Sequence, residues 1–138
     1  MRKNMIIFVF ASLIAAEGTA AELLCGKETN TVEETQCLSA ELRKYEQILA
    51  GYLDAAKLQI AKEDLGKPQL DAAQEAWIQY RSLECGDVYI YQAKGTYRYR
   101  AELDCEIRLT LARTHEIWSA YLKKFGQTFP LHPEPDLK

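Results

Sequence analysis

Three stretches of this chain set apolar residues three and four positions apart, and that periodicity constrains its fold more than any other feature. In the first stretch, Leu42, Tyr45, Leu49, Tyr52, Ala56 and Ile60 fall on one face of a helix. The second carries Leu70, Ala73, Trp77 and Tyr80, with Ala76 beside them. The third runs through Ile107, Leu111, Thr114, Trp118, Tyr121 and Phe125, with Leu103 and Ala101 extending it backwards. "DLGKP" (Asp64–Pro68) separates the first two, and Pro68 suits the first turn of a helix. Gly95 marks a turn before the third, which should start near Tyr97, and Gly126 offers a C-cap after it. Apolar stripes joined by links this short are buried only by packing on one another, which predicts an all-α bundle of three main helices.

Thr31 and Glu34 have the spacing of a capping box, so a short N-terminal helix is expected to reach about Cys37, with Ser39 capping the long one that follows. The segment from Pro130 to Lys138 holds three prolines, and residues 127–138 are expected to form an extended, mobile tail.

The N-terminus has the layout of an export signal. Arg2 and Lys3 precede an apolar run from Met5 to Ala16, and Gly18-Thr19-Ala20-Ala21 supplies small residues for cleavage. The run is shorter than the ~20 residues needed to span a bilayer, so no membrane attachment is expected once residues 1–21 are removed. The domain then covers residues 22–126, enough for one hydrophobic core. Loss of Arg2, Lys3 and Glu17 shifts the net charge from −3 to −4. That balance excludes a phosphate-gripping, nucleic-acid-binding role, which requires clustered Lys and Arg.

Cys25, Cys37, Cys85 and Cys105 all survive cleavage, and an even count in an exported chain predicts disulfides. Three pairings are formally open. The gaps of 11 and 19 residues do not match the close pairs that zinc or a redox-active C-x-x-C requires, so neither metal nor cofactor is expected. Local geometry favours Cys25–Cys37, tying the N-terminal strap to the first helix, and Cys85–Cys105, tying the end of the second long helix to the early third. In "EAWIQYRSLEC" (Glu75–Cys85), Trp77 and Tyr80 then read as core residues, Arg81 as a stem packed at their edge with its guanidinium on a carboxylate, and Cys85 as half of a staple.

Four motifs in order now carry a resemblance. "CGKETNTVEETQCLSAEL" (Cys25–Leu42) gives Cys, Thr-x-x-Glu, Cys and Leu, and "LAGYLDA" (Leu49–Ala55) follows. "LDAAQEAWIQYRSLEC" (Leu70–Cys85) gives Leu, Gln, Trp, Arg and Cys, and "GTYRYRAELDCEIRLTLARTHEI" (Gly95–Ile117) gives the turn, the last Cys, Thr110 and Arg113. Across about Cys25 to Tyr121 the chain resembles the LprI-type lysozyme-inhibitor N-terminal domain, a family of small exported helical proteins of bacteria. The resemblance implies that Trp77, Tyr80, Arg81, Thr110 and Arg113 are structural positions of the shared fold. It also implies a protein partner, a lysozyme or another peptidoglycan hydrolase, met in the periplasm or outside the cell.

The residues themselves are compatible with that role. Many lysozymes are cationic, so an acidic inhibitor is steered towards them, and their clefts hold a catalytic carboxylate pair that an inserted cation or tyrosine can plug. Tyr89, Tyr91, Lys94, Tyr97, Arg98, Tyr99 and Arg100 form a segment rich in the two residue types that dominate binding hot spots, and they are the candidate contact surface. The alternative functions are an envelope-stress or structural interaction module, and an immunity-type protein that neutralises a cell-wall amidase. Catalysis is not expected, because no nucleophile elbow, zinc-helix or phosphate-loop motif occurs and His115 and His132 stand apart.

Overall fold

The computed structural model describes residues 25, 30–63, 68–92, 94–123 and 132–136. The expected leader at 1–21 lies outside them, as do Phe125 and Gly126. The described chain forms α1 (Thr31–Glu63), α2 (Leu70–Tyr91) and α3 (Tyr97–Ile117), and α3 runs on into a π-helical turn at Trp118–Leu122.

α1 is one helix of 33 residues rather than a short helix followed by a long one. Its N-cap is Asn30, whose Oδ1 accepts from the N–H groups of Val32 at 3.1 Å and Glu33 at 3.0 Å. The cap therefore lies one residue ahead of the expected Thr31. Ser39 does not start a new helix, because its hydroxyl donates to the Thr35 carbonyl one turn back, at 2.8 Å. Thr35 does the same to Thr31 at 2.6 Å. With those hydroxyls turned inward to the helix's own carbonyls, nothing interrupts it, and at 1.5 Å per residue α1 spans about 50 Å.

Ion pairs between helices fix their directions. Glu34 near the start of α1 meets Arg100 near the start of α3. Lys57 late in α1 meets Asp71 at the start of α2. α1 and α3 are thus parallel and α2 is antiparallel to both. α3 is the central element: α1 and α2 each pack along it and touch each other little.

The main core joins Leu49, Tyr52, Leu53 and Ala56 of α1 to Leu70 of α2 and to Ile117, Trp118 and Leu122. Of the expected α1 stripe, Leu42, Tyr45, Leu49, Tyr52 and Ala56 are all buried. On α2 the buried face differs from the expected one. It follows Leu70, Gln74, Trp77, Arg81 and Cys85, while Ala73 and Ala76 are exposed and Tyr80 is 50% exposed. The inward polar residues have partners, so hydropathy alone misplaced the stripe: Gln74 Oε1 accepts from Arg113 Nε at 3.2 Å, and Arg81 is held as described below. On α3, Thr110 and Thr114 are buried, and their hydroxyls donate to the carbonyls of Glu106 and Thr110 at 2.7 and 2.9 Å.

Residues 132–136, placed by the sequence in a mobile tail, are docked. Trp118 Nε1 donates to the His132 carbonyl and Tyr52 Oη to the Pro133 carbonyl, each at 2.9 Å, and Pro135 is buried. The disulfides are Cys25–Cys37 and Cys85–Cys105, the pairing local geometry favoured. No helix among the described residues is long and apolar enough to cross a membrane.

Candidate protein-binding surface

The helix directions bring the start of α1, the end of α2 and the start of α3 to one end of the bundle, and both disulfides lie there. Cys85–Cys105 fastens α2 to α3, and Cys25–Cys37 pins Cys25 onto α1. Gly95, with φ of 91°, makes the turn between α2 and α3, a backbone state that glycine reaches without a Cβ penalty.

This end gathers the tyrosine-rich segment and sorts its members into two groups. Tyr89 and Tyr99 meet edge to face with centroids 5.3 Å apart, and the Arg98 guanidinium sits over both rings, at 4.8 and 5.2 Å. The hydrogen bond between the two hydroxyls raises the pKa of Tyr89 and lowers that of Tyr99, with Arg98 adding to the lowering. Arg100 ties Glu34 of α1 and, through Nε at 3.4 Å, Asp104 one turn on. Arg98 and Arg100 are thus occupied in holding the end together. Tyr91 is 87% exposed and Tyr97 56%, and Lys94 stands exposed at the turn. These three are presented outward.

Beside them is a feature the sequence reading missed. Thr31, Val32, Thr35 and Gln36 of α1 and Thr96 and Tyr99 across from them line a hollow of about 270 Å³. Val32 is 64% exposed at its rim. A valine in the first turn, off the apolar stripe of α1, was the available signal.

The residues expected to be structural mostly meet in the middle of the bundle. Arg81 Nη2 donates to Glu46 Oε1 of α1 at 2.7 Å, and Nη1 to Thr110 Oγ1 of α3, also at 2.7 Å. Its guanidinium lies 5.2 Å from the centroid of the Trp77 ring. Arg113 reaches Gln74 on α2 and Glu116 on its own helix, the latter at 3.3 Å. Tyr80 stands outside this group, on the solvent side of α2. Because α1 and α2 hardly touch, a groove of about 310 Å³ opens between them, with Leu49, Leu53, Trp77 and Ile78 along it and the Glu46–Arg81 pair at its side.

The arrangement offers contact area and hydrogen-bonding groups. Among the described residues no group of three or more His, Cys, Asp or Glu side chains could hold a metal ion. His115 pairs with Glu134 at 3.2 Å and not with its neighbour Glu116, which is taken by Arg113.

No curated protein and no solved structure matches the chain. A family model does: residues 25–117, from the first cysteine to the end of α3, match the one described as Lysozyme inhibitor LprI. Its span contains both disulfides, the Arg81 junction and the tyrosine-rich end, and the chain belongs to the LprI lysozyme inhibitor family.

Proposed function

We propose that this protein works outside the cytoplasm, in the periplasm or beyond it, and inhibits a lysozyme-type, peptidoglycan-cleaving enzyme by binding it through the disulfide-braced aromatic end. The observation that carries the reading is the presentation of Tyr91 and Tyr97 on an end clamped by two cross-links, within a chain of an inhibitor family. Tyrosine offers a large contact area for few rotatable bonds, and a backbone already braced needs no ordering on binding, so more of the contact energy appears as affinity. Net acidity adds long-range attraction to a cationic enzyme, which raises the association rate.

The test is a lysis assay with purified residues 22–138 against several lysozyme types and a cell-wall amidase. Slowed lysis by a lysozyme supports the reading. Slowing of the amidase alone assigns the protein to the immunity role, and no slowing of any enzyme at large molar excess removes the inhibitor reading.

A further inference from the structure

A second surface, towards the other end of the bundle, is filled by the chain itself. We propose that the face of α1 and α3 around Tyr52, His115 and Trp118 is a binding site for extended, proline-containing acidic peptide segments, and that residues 132–136 occupy it in cis.

The recognition is directed at backbone. The two large aromatic side chains direct their polar tips at consecutive main-chain carbonyls, Trp118 Nε1 at His132 and Tyr52 Oη at Pro133, each at 2.9 Å. A buried indole N–H and a buried phenol need such partners. Here the partner belongs to neither helix nor strand, so another segment with the same carbonyl spacing satisfies them equally well. The occupant reads His132-Pro133-Glu134-Pro135-Asp136. Its alternating prolines fix φ, bias the residues before them to extended backbone and remove N–H groups that would otherwise need acceptors. Aromatic grooves that bind proline-rich segments use this combination of stacked rings and donors aimed at carbonyls.

Side chains add selectivity. Pro135 is buried, the His132 ring lies 4.5 Å from the Tyr52 ring, and Glu134 meets His115 Nε2 at 3.2 Å. Lys123 sits 5.1 Å from the Trp118 ring centroid, so the cradle's own charge is suited to an acidic visitor. The tail is tethered through residues 124–131, and a short tether holds its end at an effective concentration of roughly millimolar. A partner's segment must therefore outcompete the tail, which keeps the site closed by default.

The experiment uses the full mature chain and a fluorescent peptide of residues 130–138. In the variant E134K/P135D the tail carries the wrong charge and lacks the buried proline, so it should leave the cradle. Glu134→Ala removes the His115 contact from the tail alone, leaves the cradle and the peptide intact, and serves as a second opening variant. The peptide should bind the wild type weakly, Glu134→Ala more tightly, and E134K/P135D at least tenfold more tightly than wild type, with a shift of the Trp118 indole resonance. A peptide with alanine in place of its prolines should bind less well. If the peptide ignores both variants while circular dichroism shows them folded, the cradle is only a seal for the core and the proposal fails. If E134K/P135D fails to fold, equal peptide binding by Glu134→Ala and wild type overturns the proposal. Appearance of a dimer in the wild type that the free peptide dissolves into peptide-bound monomers assigns the site to exchange of tails between copies instead.

Discussion

Arg81 on α2 and Glu46 on α1 meet at 2.7 Å, across the one pair of helices that otherwise hardly touch. The same guanidinium reaches Thr110 on α3, so a single side chain connects all three helices. Arg81 is 12% exposed and Glu46 41%, which makes the carboxylate's share the weaker one after solvent screening. Replacing Arg81 with Ala should cost about 2 kcal/mol, most of it from the lost charge-assisted bonds and the lost stem packing on Trp77. Arg81→Lys should recover less than half, since an ammonium cannot address a carboxylate and a hydroxyl with one planar fork. Urea unfolding checks both: the midpoint falls and the slope stays constant if only stability has changed.

The sequence made the fold class readable because α1 buries Leu42, Tyr45, Leu49, Tyr52 and Ala56 at helical spacing, while α3 and its π-helical turn bury Thr114 and Trp118 of the expected stripe and leave Leu103, Ile107, Leu111 and Tyr121 only partly buried. It also gave the disulfide pairing, since each bond joins cysteines that its helices bring close. It misplaced α2, where Gln74 and Arg81 point inward and Tyr80 outward, because a polar residue whose partner lies on another helix carries no hydropathy signal. The docked tail was hidden for a related reason. The donors that hold it, Tyr52 and Trp118, come from two helices that only the tertiary fold brings together. Tyr89 to Arg100 stood out from composition as a candidate contact segment, but its division into braced and presented side chains depends on Glu34, over sixty positions from Arg100.

Each disulfide closes a short loop, with sequence separations of 12 and 20. Removing either pair as Cys→Ala should lower stability by about 3 kcal/mol in the chain-entropy model. The two losses should differ in reach. Opening Cys85–Cys105 releases α2 from α3, whereas opening Cys25–Cys37 frees only Cys25 from α1. Hydrogen exchange should therefore show faster opening along both helices in the first variant and at the start of α1 in the second.

Glu106 is the carboxylate whose environment opposes its charge. Burial raises its pKa, Arg81 nearby offsets part of that, and Glu102 and Glu46 add to the rise. A carboxyl with a raised folded-state pKa favours folding while protonated. Its contribution is fully present below the unfolded value, near 4.3, and is lost as pH rises through the higher folded value. Glu106→Gln keeps the shape without the charge. The variant should gain stability relative to wild type as pH rises from about 4 to 7, measured as the difference between their urea midpoints. A difference independent of pH would remove Glu106 from the account.

The sorting of the aromatic end predicts different consequences for neighbouring residues. Tyr91 and Tyr97 are exposed there, so Ala at either position should leave the unfolding midpoint unchanged. If they are anchors for a hydrolase, each substitution should weaken inhibition by about thirtyfold, the equivalent of a 2 kcal/mol hot spot. Arg98→Ala should weaken inhibition less directly, by releasing Tyr89 and Tyr99 from the ion between them. Arg100→Ala should lower the midpoint, because it leaves Glu34 without its cation. Tyr80 supplies the control: it is a half-exposed tyrosine on the same helix as Tyr91 but about three turns from that end, and Tyr80→Ala should alter neither quantity. Comparable losses of inhibition at Tyr80, Tyr91 and Tyr97 would mean that contact is spread along α2, and the disulfide-braced end would then hold no special place in binding.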